Sequence, residues 1–97
     1  MQVKDIIQEM NLRITADMYS GKSHKKKFNN AISRIESARR KLGKYKNSPH
    51  IHILFEALNE FKSGLEAGKQ FNEVGHRRHV DNAVSLAIKY ERMAGIS

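Results

Sequence analysis

The chain has 97 residues, 39% apolar and 29% charged, with a formal net charge of +8. That length suits one domain with a thin core, and the composition is that of a folded chain rather than a disordered one. Cysteine and Trp are absent, which excludes disulfides, thiolate zinc sites, zinc fingers and a Cys nucleophile.

No apolar run approaches the roughly 18 residues of a membrane span. Near the N-terminus Val3, Ile6 and Ile7 are interrupted by Lys4, Asp5, Gln8 and Glu9, unlike a secretory leader. The expectation is a cytoplasmic protein with no membrane partner. One Pro, six Gly and no sustained apolar/polar alternation favour helices over strands.

Val3, Ile6, Ile7, Met10, Ile14 and Met18 recur at three- and four-residue steps and predict an amphipathic helix over about 2–18. Gly21 suits the stop. Residues 20–27 read as a polar, mobile, basic connector. A second helix is predicted over about 28–46, with Phe28, Ala31, Ile32, Ile35, Ala38, Leu42 and Tyr45 on its apolar face. At ~100° per residue, Arg34, Arg40, Lys41 and Lys44 fall opposite. Asn47-Ser48-Pro49 is the clearest break, with Ser48 as N-cap and Pro49 as the first helical residue. So short a break makes the second and third helices an antiparallel hairpin.

The third helix, about 49–71, is the most apolar and is expected to be central. Gly64 and Gly68, four apart, allow close approach of another helix or mark fraying near its end. A connector at 72–76 leads to a fourth helix, about 77–94, whose wide apolar arc (Val80, Ala83, Val84, Leu86, Ala87, Ile88, Tyr90, Met93) implies burial on two sides, within the bundle or against a second copy. The fold expected is all-α: a small bundle of about four helices, a single domain over 1–97, with a central antiparallel helical hairpin.

The charge is local. Lys22 to Lys46 holds ten Lys/Arg against the single acid Glu36, whereas the rest of the chain has eight basic and nine acidic residues. A block of one sign is a statement about partners. Lys22, Lys25, Lys26, Lys27, Arg34, Arg40, Lys41 and Lys44 are the candidate anion-binding residues, since Lys and Arg neutralise phosphates and release counterions. Tyr19 and Tyr45 flank the block as candidate stacking residues, although packing is the plainer role for each. Arg77 and Arg78, between His76 and His79, form a second small basic patch. Zinc at His76 and His79 with Asp81 is the sharper alternative there, but no HExxH pattern exists. His50 and His52, two apart on a helix, point away from each other.

A helix-turn-helix fails on sign: its recognition helix would be the third, which carries Glu56, Glu60 and Glu66. The letters GKS at 21–23 lack the upstream glycine and strand of a phosphate loop, and no serine sits in a nucleophile elbow. No enzyme, metal or cofactor is therefore expected. The leading expectation is non-catalytic binding of a polyanion, nucleic acid first, through 22–46. The rivals are a small helical adaptor or inhibitor docking on an acidic protein surface, and a helical homo-oligomer that sequesters a nucleotide. In size and make-up the chain resembles the small helical proteins of bacteriophages and mobile elements, which include anti-CRISPR inhibitors. The resemblance matches no motif residue by residue and implies no site.

Overall fold

The computed structural model describes residues 2–95. Four helices follow one another: α1 (Val3–Met18), α2 (His24–Leu42), α3 (Ile51–Lys69) and α4 (Glu73–Met93), with a 3-10 turn, Gly43–Tyr45, closing α2. The described residues contain no strand, and the protein is a small all-α bundle.

Cross-helix contacts fix the packing as antiparallel throughout. Asp17 meets Arg34 and Glu9 meets Lys41 across α1 and α2. Glu36 meets Lys62 and His24 the Gly68 carbonyl across α2 and α3, and His79 meets Glu60 and His76 the Gly64 carbonyl across α3 and α4. In each pair of helices the numbers rise on one and fall on the other. The ends of α1 and α3 therefore share one end of the bundle with the starts of α2 and α4. The core between them is Ile6, Met10 and Ile14 from α1, Phe28, Ala31, Ile35 and Leu42 from α2, Ile51, Leu54, Leu58 and Leu65 from α3, and Tyr90 from α4. Ile6, Ile35 and Leu42 are the largest fully buried side chains, and each contributes about 1.5–3 kcal/mol by leaving water.

The helix boundaries differ from those predicted, each for a local reason. The connector expected over 20–27 ends at Ser23, and α2 begins at His24 rather than Phe28. Ser23 caps the helix by accepting from the Lys26 N–H at 3.3 Å, and the lysines that follow are good helix formers. At its other end α2 stops at Leu42, short of 46, and tightens into the 3-10 turn. The third helix begins at Ile51 instead of 49. Ser48 donates its N–H to the Tyr45 carbonyl and accepts from Ile51, so Ser48-Pro49 belong to a turn and His50, at φ 65°, is the residue before the helix. α3 ends at Lys69, leaving Phe71 outside it. α4 starts at Glu73, not 77, because Asn72 caps it by accepting from the Gly75 N–H at 3.0 Å.

α3 packs most extensively on α4 and also pairs antiparallel with α2 as the expected central hairpin. Gly64 serves the contact with α4, and Gly68 chiefly that with α2. A methyl group at Gly64 would stand 3.0 Å from Val80 Cγ2, and one at Gly68 2.6 Å from the Phe28 ring. Glycine lets both neighbouring helices approach. On its other flank α4 is not covered within the bundle: Val84 is 53% and Ile88 44% exposed, so of the two forms of burial predicted the bundle supplies only one side. With Ile7 and Met10 of α1 and Phe61 of α3 they line an open apolar groove of about 290 Å³.

Candidate functional site

The basic segment divides into a paired middle and two unpaired ends. In the middle, Arg34 donates from Nε to Asp17 Oδ2 at 3.1 Å and from Nη2 to Oδ1 at 3.4 Å; this contact raises the guanidinium pKa. Lys41 Nζ lies 3.3 Å from Glu9 Oε1, which Arg13 also approaches at 3.1 Å. Hydrogen bonds from Lys41 and then Arg13 hold the Glu9 carboxyl below its usual range. Glu36 is bound by Lys62 at 2.8 Å, which lowers the carboxyl and raises the ammonium. The hollow that Glu9, Arg13, Arg34 and Lys41 rim is only about 130 Å³, below the size of a small-molecule site.

At one end of the bundle lie Lys22, Lys25, Lys26 and Lys27, beside the last turn of α3 with Lys69 and the first turns of α4 with Arg77 and Arg78. Among the described residues, none of these seven cations forms an ion pair. The fold thus brings the second basic patch to the same end as the first block's leading lysines. Lys25 and Lys26 occupy the first turn of α2, which holds no acid, although the helix dipole disfavours cations there by roughly 0.3–1 kcal/mol each. At the far end of α2, about 28 Å away by helix rise, Arg39, Arg40, Lys44 and Lys46 form a separate group. Arg40 and Arg39 lie close enough to Glu36 to depress its carboxyl, and Lys44 Nζ sits 5.2 Å from the Tyr45 ring centroid.

The two tyrosines fall at opposite ends of α2. Tyr19 is 86% exposed at the end of α1, whereas Tyr45 packs against the core. They do not converge on one ligand. His76 and His79 both face α3. His76 Nδ1 donates to the Gly64 carbonyl at 2.7 Å, and His79 Nδ1 donates to Glu60 Oε2 at 2.7 Å.

No family model, curated protein or solved structure matches this chain. Among the described residues no helix is long and apolar enough to cross a membrane.

One residue at the basic end was not singled out from the sequence. Phe71 is 75% exposed and takes φ 61°. Its N–H donates to the Gly68 carbonyl and that of Asn72 to Ala67, the paired bonds of a left-handed helix cap that glycine usually fills. Its ring stacks on His24 at 4.0 Å and 10°. His24 Nε2 in turn donates to the Gly68 carbonyl at 2.9 Å. His24 also meets Phe28 at 4.6 Å, and Phe28 meets His76 edge-on at 6.2 Å. Four rings therefore run in a row from the surface into the bundle. A phenylalanine after a helix in QFN carries little sequence signal, because only the backbone cap reveals where its ring points.

Proposed function

We propose that this protein binds nucleic acid, without catalysis, through the basic end of its bundle. The reading rests on one observation: Lys22, Lys25, Lys26, Lys27, Lys69, Arg77 and Arg78 gather at that end with no carboxylate partner. Arg13, Arg34, Lys41 and Lys62 are matched to acids, and the remaining cations of the basic segment, Arg39, Arg40, Lys44 and Lys46, lie at the far end of α2, where Arg39 and Arg40 share the field of Glu36. Glu73 and Asp81 share a surface hollow with Arg77 and Arg78, so the field offered to a phosphate backbone comes chiefly from the five lysines. The placement of lysines against the α2 dipole supports the same reading, since it is a local conflict that a bound anion would relieve. Arg34 and Lys41 enter this reading as braces of the α1–α2 seam, and Arg40 and Lys44 as members of the more distant group.

The test is binding of a labelled oligonucleotide as salt is raised. Affinity should fall linearly on a double-logarithmic plot, with a slope of about −0.7 to −0.9 per phosphate contacted. Converting Lys22, Lys25 and Lys26 together to Gln should flatten that slope by roughly two to three units. An unchanged slope, or a partner protein retained on the wild-type chain after nuclease treatment with no oligonucleotide binding, would defeat the proposal.

A further inference from the structure

Resting on that reading, we infer that the nucleic acid is single-stranded and that Phe71 is the platform on which one of its bases stacks. Three observations meet at this residue. The first is its backbone. A bulky L-residue in the left-handed region costs roughly 1–2 kcal/mol, in a cap where glycine would cost nothing. Such strain persists where the side chain is needed.

The second is how the ring is held. Stacking on His24 covers one face. His24 is fixed by the Gly68 carbonyl on one side and by the buried Phe28 on the other. The opposite face of Phe71 is left to solvent, with 75% of the residue exposed. An aromatic held rigid with one open face is pre-organised for a flat partner, and little side-chain entropy remains to be lost on binding. The third is what surrounds it. Ser23, Lys25, Lys69 and Gln70 form a shallow hollow with His24 and Phe71. Lys25 and Lys69 thus bring two positive charges to the hollow that the ring borders, as the phosphates of a strand stacked there would require. Aromatic faces beside a basic groove are how sequence-tolerant single-strand binders work.

The partner follows from the geometry. Bases in a duplex have their faces covered by neighbours, so a surface ring stacks only on an unpaired base. An anionic membrane would also attract the lysines, and vesicle binding is therefore one arm of the test. The experiment compares the full chain with Phe71→Gly and Phe71→Trp. Phe71→Gly suits the backbone, so it should fold with an unchanged or higher Tm. The probes are an oligothymidylate of roughly ten nucleotides, a matched duplex and phosphatidylserine vesicles.

Phe71→Gly is expected to weaken oligothymidylate binding about ten- to a hundredfold, to keep the salt slope, and to leave duplex binding alone. Phe71→Trp should retain affinity, with indole fluorescence quenched by the strand. Equal losses on duplex and single strand, or no loss on either, would overturn the platform while leaving nucleic-acid binding intact. Binding of wild type to vesicles alone would overturn both.

Discussion

Arg34 closes a two-point contact on Asp17 across the α1–α2 seam, at 3.1 and 3.4 Å. Asp17 is the one buried charged residue among those described, at 8% exposure. Removing its partner strands a carboxylate in the interior, and hydrogen bonds to charged groups are worth about 1.5–3 kcal/mol. The Arg34 side chain is 39% exposed to water, which reduces that range. Arg34→Met should therefore destabilise the fold by about 1–2 kcal/mol in urea unfolding. Oligonucleotide affinity should change by less than about twofold. A large affinity loss with unchanged stability would return Arg34 to the anion-binding face.

Gly68 and Gly43 give opposite signs for the same substitution. Alanine at Gly43 meets nothing within 4 Å and the backbone is helical, φ −55°. Gly43→Ala should stabilise by about 0.4–1 kcal/mol through the unfolded chain. At Gly68 the added methyl meets the Phe28 ring at 2.6 Å and His76 Nδ1 at 3.0 Å. Phe28 is buried and has no room to yield. Overpacking costs about 1–3 kcal/mol and offsets the helix preference of alanine. Gly68→Ala should lower stability by about 1–2 kcal/mol. A stabilised Gly68→Ala would show that α3 and its neighbours are looser than described.

Helix content and the core stripes were legible because apolar spacing is a one-dimensional record of burial. Ile6, Met10 and Ile14 in the first helix and Phe28, Ala31, Ile35, Ala38 and Leu42 in the second all lie buried. Boundaries were less legible, because they depend on single caps: Ser23 and Asn72 each start a helix about a turn earlier than apolar spacing alone indicates. Charge was readable in amount but not in pairing. Nothing in the stretch 22–46 announces that Glu9 and Asp17, a helix away, neutralise Lys41 and Arg34. The gathering of Lys22, Lys25, Lys69, Arg77 and Arg78 at one end is a product of antiparallel packing, which no local pattern encodes.

The paired carboxylates make stability depend on acid. Glu9, bound by Lys41 and Arg13, and Glu36, bound by Lys62, both titrate below the usual range in the folded state. A lowered folded pKa stabilises the protein above the unfolded carboxylate pKa, and the contribution is lost as pH falls through the folded value. The urea midpoint should thus decline as pH drops below the usual carboxylate range, and less steeply in Glu9→Gln. About 1 M salt should blunt the difference between wild type and variant, because these pairs lie at the surface. A pH profile identical in Glu9→Gln would show that the Lys41 and Arg13 contacts together contribute nothing.

The last prediction separates the two basic groups. If charge alone drew the nucleic acid, neutralising either end of α2 would weaken binding equally, because each removes about the same number of cations. The end that carries Lys22, Lys25 and Lys26 differs in having no nearby acid on α2, whereas Arg39 and Arg40 share the field of Glu36. It also carries Phe71. Changing Lys22, Lys25 and Lys26 to Gln should therefore reduce affinity at least about tenfold more than changing Arg39, Arg40 and Lys44, with phosphate contacts counted from the salt slope. Fluorescence anisotropy at several salt concentrations reads both quantities. Equal losses would spread the binding surface along the whole of α2, and a greater loss from the Arg39, Arg40 and Lys44 variant would move it to the opposite end.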